Sequence, residues 1–243
     1  MSRPIEYPKT PRGDELVVSD GEPMETARHH QQMMILIESL ECAWQERDDF
    51  YVGGDMFLYF SETQSRRNDF RGPDVFVALN TTRRERLAWV VWEEDGRAPD
   101  VIIELLSAKT EHIDRGEKMR IYGRTLKVGE YFLFDPFSGV LEGYELDGLR
   151  GGYRKKAEDS SGRLFCEQMG LFLGKVRSTL YGVEVEWLRW LDQHGRPLPM
   201  PIERANAEAE RANAEAERAN AQAARADRLA AELAELKAKL ERG

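Results

Sequence analysis

The spacing of hydrophobic residues changes along the chain, and each change predicts a new structural element. In "METARHHQQMMILIESLECAWQERDDF" the apolar residues Met33, Ile37, Leu40 and Trp44 fall on one face of an amphipathic helix. The segment before it, residues 1–23, carries several prolines among polar residues. This composition predicts an extended leader ahead of the folded part of the chain.

Period-two and fully apolar runs after the first helix predict a sheet. The segments "YVGGDMFLYFSE", "GPDVFVALN", "ERLAWVVW" and "EYFLFDP" have strand patterns, and hairpins are expected between Leu141 and Gly174. The run "VIIELL" is apolar on both faces, as in a central strand. A helical pattern follows from Glu111 to about Leu126. We therefore predict an α/β fold, with a mixed sheet flanked by helices in one domain covering residues 24–198.

The C-terminal residues have a different pattern. After a linker at 199–202, "ERANAEA" occurs at 203–209 and 210–216 and returns as "ERANAQA" at 217–223. A seven-residue repeat is typical of a coiled coil, so we expect residues 203–243 to form a helix that joins copies of the chain into a homo-oligomer. A dimer is preferred, although an alanine seam permits several oligomer orders. A single solvated helix held by Glu–Arg pairs is the alternative. The apolar seam of the repeat is Ala205, Ala209, Ala212, Ala216, Ala219, Ala223, Ala226, Leu229, Leu233, Leu236 and Leu240.

Composition and charge narrow the functional classes. A hydrophobic content of 41% supports a folded protein, and a net charge of −9 argues against nonspecific coating of nucleic acid. A local basic groove or an acidic site that binds a cation remains compatible with this charge. Cys42 and Cys166 form no CxxC motif, and no secretory leader is recognised, which favours the reducing cytoplasm. No apolar run approaches the ~20 residues of a membrane span, so we expect no membrane association.

Two acids in predicted strands are the main candidates for chemistry. Glu104 interrupts an apolar run and Asp74 precedes another, although a desolvated carboxylate costs several kcal/mol unless it is compensated. Two such acids on neighbouring strands could hold Mg²⁺, and Lys118 could stabilise developing negative charge. Asp100 shares a strand face with Glu104 but lies about 13 Å away at ~3.3 Å per residue, so we expect it to be a turn or edge residue.

Several ordered motifs together resemble one protein family. "RGPDVFVALN", "DVIIELLSAKTEHIDRGEKMRIYG" and "EYFLFDP" are similar to the Uma-two family of endonucleases, within the restriction-endonuclease-like PD-(D/E)XK superfamily. "PMETARHH" also resembles the opening of one branch of that family. The resemblance covers residues 22 to 200 and implies a restriction-endonuclease-like fold with a Mg²⁺- or Mn²⁺-dependent nuclease site.

The resemblance implies a catalytic set with one departure from the superfamily pattern. Asp74 and Glu104 are expected to bind the metal, but Leu106 stands where the superfamily places its lysine. We expect Lys118 to replace that lysine, whereas Lys109 is closer in sequence but lies in a predicted loop.

Accessory roles are expected for three further residues. Helical spacing places Asp114 and Tyr122 on the same face as Lys118, where they could hold it in position. Glu25 matches the acid that the superfamily often carries on a helix near its metal site.

Simpler structural explanations remain open for most of these residues. Asp114 and Lys118 could form a surface pair worth about 0.3–0.5 kcal/mol, and Pro73-Asp74 could be a turn. Both His29 and His30 are expected on the helix surface, and Trp89 and Trp92 in the core. The predicted function is cleavage of nucleic acid, with DNA preferred to RNA as the substrate. A non-catalytic interaction module that assembles through the coiled coil is the alternative.

Overall fold

The structure is a computed structural model that describes residues 11–17, 26–61, 72–149 and 151–240. The chain divides into two compact units, Met1–Leu198 and Pro199–Gly243. The first unit contains the sheet and the candidate site, and the second consists mainly of one helix. The predicted leader lies largely outside the described residues, as does Glu25.

In the described part of the first unit, one helix precedes five strands and a second helix precedes six more. Helix α1 spans Ala27–Ala43. Helix α2 covers residues 111–126 and consists of an α-helical turn at Glu111–Ile113 followed by π-helical turns at Asp114–Lys118 and Ile121–Leu126. The strands within the described ranges are β1 Phe50–Gly54, β2 Leu58–Tyr59, β3 Val75–Leu79, β4 Trp89–Val90, β5 Val101–Leu105, β6 Glu130–Phe134, β7 Leu141–Asp147, β8 Gly152–Lys155, β9 Leu164–Cys166, β10 Leu171–Leu180 and β11 Val183–Leu191.

The main sheet is mixed. Among the described residues it has six strands in the order β1-β3-β5-β6-β7-β8. Its β5 and β6 strands run parallel, and its other neighbouring strands are antiparallel. A second sheet has the order β11-β10-β9, and β2 pairs with β4. The parallel pair at the centre needs a crossover connection, which α2 supplies between β5 and β6.

Each face of the main sheet is covered by a hydrophobic cluster. Leu36 and Leu40 of α1 pack with Val101 and Ile103 of β5 on one face. On the other face, Tyr122 of α2 packs with Ile102, because successive strand residues point to opposite sides. Burial on both sides explains the nearly continuous apolar sequence of β5. The predicted α/β class, a mixed sheet flanked by helices with a long C-terminal helix, is therefore confirmed.

Several predicted elements differ in detail. The expected strand after residue 50 is split into β1 and β2, because Asp55 turns the chain with a positive φ of 48°. In "AWVVWEE" only Trp89 and Val90 are extended, and a 3₁₀ turn follows at Val91–Glu93. The long β10–β11 hairpin was not predicted beyond Gly174. Trp89 is buried in the core as expected, and Trp92 is partly buried.

The second unit contains helix α3, Pro201–Leu240. None of its residues is buried, and Leu229, Leu233, Leu236 and Leu240 are each more than half exposed. The predicted helix is thus present, whereas its association into a coiled coil stays a prediction. Within the described ranges, none of the helices is both long enough and apolar enough to cross a membrane.

Candidate active site

Strands β3 and β5 bring Asp74 and Glu104 together. Val75 pairs with Ile103 in an antiparallel register, so Asp74, one residue before β3, lies opposite Glu104. The backbone N–H of Asp74 donates to Glu104 Oε2 at 3.3 Å, and the N–H of Leu105 donates to Asp74 Oδ2 at 2.6 Å. The two acids predicted as a pair are therefore neighbours across the sheet.

Helix α2 places Lys118 and Tyr122 against the same carboxylate. Lys118 Nζ lies 2.9 Å from Glu104 Oε2, and it also donates to the backbone carbonyl of Gly72 at 3.3 Å. The Tyr122 hydroxyl donates to Glu104 Oε1 at 3.1 Å. Both oxygens of Glu104 are thus held by side chains that follow it by 14 and 18 residues in the sequence.

Asp114 completes the cluster from the first π-helical turn of α2. Its Oδ1 is 2.9 Å from Lys118 Nζ, an ion-pair distance, although the two groups are not aligned as a directed hydrogen bond. Asp114 is 2% exposed. The interpretation of Asp114 and Lys118 as a surface pair is therefore wrong, because α2 packs this face onto the sheet. Single π-helical turns inside helices occur frequently at functional sites.

Among the described residues, the cluster contains three carboxyl groups, from Asp74, Glu104 and Asp114, and one ammonium group, from Lys118. Glu104 has no exposed surface, and the Lys118 side chain is 17% exposed. Within the described part of the chain, Lys118 is the cation that contacts Glu104 and Asp114, and Asp74 adds a third carboxylate. Burying an ionised carboxylate without a partner is costly. This arrangement therefore favours binding of an additional cation.

Proton affinities in the cluster reflect this imbalance. Burial raises the pKa of the Glu104 carboxyl well above its ordinary value; Lys118 opposes that effect and Asp74 adds to it. Burial also raises the pKa of Asp74, and Lys118 again opposes the effect. Burial alone would lower the pKa of Lys118, but Glu104, Asp114 and Asp74 raise it above its ordinary value. Lys118 is therefore a permanent cation at neutral pH and is suited to stabilising negative charge.

Tyr122 serves as a permanent hydrogen-bond donor in this environment. Burial and the adjacent charge of Glu104 raise the pKa of its hydroxyl well above the ordinary value. The ring also packs edge-on against Tyr131, with 5.5 Å between the ring centroids. Tyr122 can therefore orient Glu104 without competing as a base.

The donor set fits a hard divalent cation held by few protein ligands. Among the described residues, no group of three or more His, Cys, Asp or Glu side chains is placed to hold a metal ion. Mg²⁺ commonly binds one or two carboxylates and keeps several waters, which the Asp74–Glu104 pair would allow. The excess of carboxylates over ammonium groups is the structural feature that supports this fit.

The superfamily lysine position is occupied by a core residue. Leu106 is 3% exposed and packs in the same cluster as Tyr122. Lys109 lies exposed in the loop between β5 and α2. Of these positions, Lys118 is the one whose ammonium group reaches Glu104, as predicted from its helical spacing.

Other expected residues have structural roles or lie elsewhere. Asp100 accepts a hydrogen bond from the N–H of Leu79 at 2.7 Å, as expected for a strand-edge residue. His30 is exposed as expected, but the surface location expected for His29 is wrong. His29 is 4% exposed, and its Nε2 lies 3.1 Å from the carbonyl oxygen of Leu106, because the first turn of α1 packs against the end of β5. Glu25 lies outside the described residues.

Sequence reasoning missed Tyr131. Its hydroxyl donates to the backbone carbonyl of Asp114 at 3.0 Å and so fixes the start of α2 above the sheet. The available signal was a hydroxyl group within the apolar strand "EYFLF", on the same side of the sheet as Ile102, its partner in the parallel register. A buried tyrosine usually needs a hydrogen-bond partner, so this position could have been flagged.

Comparisons with known proteins identify related sequences. A family model described as "Uma2: Putative restriction endonuclease" matches residues 5–171. An uncharacterized protein, slr1290 of Synechocystis sp. (strain ATCC 27184 / PCC 6803 / Kazusa), is 24% identical over 119 residues, covering 49% of this chain and 57% of that relative. This chain therefore spans somewhat more than half of that relative's length.

A solved structure from Anabaena variabilis ATCC 29413 is also similar. It is described as a putative nuclease belonging to DUF820 and superposes with a TM-score of 0.43 and 14% sequence identity. The superposition covers 62% of this chain and 80% of that one.

Proposed function

This chain belongs to the Uma2 family, described as putative restriction endonucleases, and on that premise we propose that it hydrolyses phosphodiester bonds in nucleic acid at the Asp74–Glu104–Lys118 cluster. DNA is the proposed substrate, in keeping with the restriction-endonuclease description. The observation that carries the proposal is the pairing of buried Glu104 with partly buried Asp74, with the Lys118 ammonium group in contact with Glu104.

A divalent cation completes the proposed site. Asp74 and Glu104 would hold Mg²⁺ or Mn²⁺, which supplies charge stabilisation at the phosphate and lowers the pKa of a coordinated water. Lys118 stays protonated and offsets the negative charge that develops on the phosphate oxygens. Tyr122 keeps Glu104 in one orientation through its 3.1 Å hydrogen bond. Asp114, 2.9 Å from the same ammonium group, helps to position Lys118.

Substitution of Glu104 tests the proposal. Glu104→Gln keeps the size of the side chain but removes the charge that would bind the cation, so cleavage should fall by about 10²-fold or more, as for loss of a key electrostatic group. Glu186→Gln is the matched control, because Glu186 is an exposed glutamate of β11. The readout is Mg²⁺- or Mn²⁺-dependent cleavage of single-stranded and double-stranded DNA and of RNA.

Calorimetry separates the enzyme from a non-catalytic scaffold. The wild-type protein should bind Mg²⁺ or Mn²⁺ measurably, and Glu104→Gln should bind it much more weakly. Equal cleavage by the wild-type and Glu104→Gln proteins would show that Glu104 has no catalytic role. Absence of both cleavage and metal binding in the wild-type protein would instead support the interaction module.

Assembly through α3 is a second proposed activity. The leucines at the C-terminal end of α3 are 54–81% exposed at four successive seam positions. A second copy of this helix would bury them as a coiled-coil seam. We propose a homodimer on this basis, and the assembly is compatible with either the nuclease or the scaffold.

A further inference from the structure

A cavity of about 500 Å³ is lined by residues of α2, by the last residue of β7 and by the start of β8. Three arginines and three glycines contribute to its walls. They are Arg120, Arg124, Arg154, Gly116, Gly151 and Gly152, and we refer to this feature as the arginine cavity.

The arginine cavity is locally basic although the protein has a net charge of −9. Arg120 and Arg124 are exposed, and neither forms an ion pair within the described part of the chain. Arg154 contacts Glu145 at 2.5 Å, with 69% of its side chain exposed. Asp147 is the acid in the cavity wall, and its Oδ1 accepts a hydrogen bond from the N–H of Leu149 at 3.0 Å. The guanidinium groups therefore outnumber the carboxylates lining this cavity.

Close packing explains one of the two glycines of α2 but not the other. A Cβ at Gly123 would lie 2.9 Å from the ring of Tyr153, so close packing requires glycine there. A Cβ at Gly116 would have no neighbour within 4 Å, and its φ lies outside the left-handed region. Glycine inside a helix lowers helix stability relative to alanine. Neither packing nor backbone geometry therefore accounts for Gly116.

The remaining glycines also leave bare backbone facing open space. A Cβ added at Gly151 or Gly152 would have no neighbour within 4 Å, and Gly151 also has a positive φ of 66°, which by itself favours glycine in this turn. Absence of side chains at such positions allows a ligand to approach the backbone closely. Guanidinium groups can donate paired hydrogen bonds to phosphate, which suits them to recognise an anion that enters this space.

We propose that the arginine cavity binds a backbone phosphate of the nucleic acid, away from the bond that is cleaved. This inference rests on the proposed nuclease function. Gly116 and Arg120 belong to the same turns of α2 as Asp114 and Lys118, which face the candidate active site. A helix with its side chains is about 10–12 Å across. Because a nucleic-acid strand rises about 3.4 Å per nucleotide, a few nucleotides span the two sites.

Removal of two arginine charges tests this binding site. The double variant Arg120→Gln/Arg124→Gln is compared with Lys175→Gln/Arg177→Gln on β10, which removes the same charge elsewhere in the unit. Binding of fluorescent single-stranded and duplex DNA is followed by anisotropy in EDTA over a series of salt concentrations. The cavity variant should bind about 10-fold more weakly at low salt. For the loss of one phosphate contact, the slope of log affinity against log salt should be shallower by about 0.7 for single strands and about 0.9 for duplex.

Gly116→Ala provides an independent test of the cavity. The alanine should raise the thermal midpoint, because it favours the helix, while it weakens DNA binding by narrowing the cavity. If Gly116 had no role in DNA binding, Gly116→Ala would raise the thermal midpoint in the same way and leave the DNA affinity unchanged. Unchanged binding in both cavity variants, or no DNA binding by the wild-type protein, would overturn the inference.

Failure of this inference can be distinguished from failure of the proposed function. A wild-type protein that binds DNA through the arginine cavity but does not cleave it would contradict the nuclease alone. A wild-type protein that cleaves DNA, with cavity variants that behave like the β10 control, would contradict the binding site alone.

Discussion

Glu104 combines complete burial with hydrogen bonds to both carboxylate oxygens. Its ionisation is nevertheless unfavourable, because Asp74 and Asp114 lie in the same cluster and only Lys118, among the described residues in contact with it, carries positive charge. A site under such repulsion gains stability when a cation binds. Holding these carboxylates close together lowers the stability of the fold, and such locally unfavourable arrangements are found mainly at functional sites.

Glu104→Gln should increase stability at neutral pH by about 1.4 kcal/mol for each unit by which the folded-state pKa of Glu104 exceeds its ordinary value. Lys118 keeps Asp114 as its partner in this variant, so no buried charge is left alone. The folded-state pKa of Glu104 is raised above its ordinary value of 4.5, so the wild-type protein loses stability as pH rises from about 4.5 through that raised value. The advantage of the glutamine variant should therefore grow across this range and vanish below it.

Chemical denaturation over a pH series measures this difference, with Glu186→Gln as the control. Added Mg²⁺ should stabilise the wild-type protein by RT ln(1 + [L]/Kd), about 2.7 kcal/mol at 100 times Kd, and should have little effect on Glu104→Gln. A glutamine variant that is less stable at neutral pH would contradict the charge imbalance inferred for this site.

Tyr122→Phe tests whether the orientation of Glu104, apart from its charge, contributes to metal affinity. The substitution removes one hydroxyl and its 3.1 Å hydrogen bond to Glu104, and the ring remains packed in the core. Loss of a hydrogen bond that orients a metal ligand typically weakens metal affinity by about 10–100-fold. Calorimetric titration with Mn²⁺ measures the affinity. Tyr144→Phe is the control, because it removes a tyrosine hydroxyl that bonds Glu142 instead of Glu104. An equal loss of Mn²⁺ affinity in both variants would argue against a specific role of Tyr122.

At the scale of elements, α2 links the active-site cluster to the sheet. Arg115 Nη1 lies 2.6 Å from Glu142 of β7, and the Tyr131 hydroxyl of β6 holds the carbonyl of Asp114. Both contacts are made by residues of α2 that precede Lys118, and both join this turn to strands β6 and β7, which follow β5 in the order of the sheet. The position of Lys118 therefore depends on polar contacts of α2 as well as on its apolar packing.

Glu142→Gln should weaken this attachment in a pH-dependent way. Partial burial acts in the opposite direction, but hydrogen bonds from Tyr144, Lys155 and Arg115 lower the pKa of Glu142 from 4.5 to about 2. A carboxylate with a lowered pKa contributes stability above its unfolded value and loses that contribution as pH falls through the folded value. After allowance for solvent screening, we expect the variant to lose about 1–2 kcal/mol at neutral pH.

Urea unfolding of the wild-type and Glu142→Gln proteins across the acid range measures the loss. The gap between their free energies of unfolding should close as pH falls from about 4.5 toward 2. Glu184→Gln is the control, since Glu184 belongs to an exposed pair with Arg177 at 3.1 Å and should change stability by less than about 1 kcal/mol. If the difference in free energy of unfolding between the two proteins did not change with pH, ionisation of Glu142 would not be its cause.

At the scale of the whole molecule, α3 is a helix of 40 residues without buried side chains. At 1.5 Å per residue it is about 60 Å long. Its first part presents alanines along the seam, which bury little area, and its last part presents leucines. Most of the association energy should therefore come from the C-terminal end of the helix.

Leu233→Glu/Leu236→Glu should convert the proposed dimer to a monomer, because both leucines lie on the exposed seam. Asn213→Glu/Asn220→Glu adds the same charge off the seam and should leave the dimer intact. Sedimentation velocity of the full chain gives the oligomeric state. A chain truncated before Pro201 should also be monomeric, and if it kept the oligomeric state of the full chain, α3 would have no role in assembly.

The sequence by itself determined the elements and the chemical character of the candidate site. Burial of Glu104, the helical face shared by Asp114, Lys118 and Tyr122, and the helix at the C-terminus all follow from neighbours within one strand or a few helical turns. Such patterns are local, so the periodicity of side chains is sufficient to predict them. Short segments such as "AWVVW" were predicted less well, because packing across the chain decides how far they remain extended.

Only the tertiary structure decided which distant groups meet. Asp114 joins Lys118 in a buried cluster instead of a surface pair, His29 is buried against the carbonyl of Leu106, and Tyr131 holds α2. The arginine cavity likewise requires α2 to lie beside the β7–β8 turn. Most of these contacts join residues far apart in the sequence, and their distances depend on the register of the sheet and the path of the connecting loops. Hydrophobic pattern specifies which face is buried, whereas the complete packing of the chain determines which polar groups share that buried space.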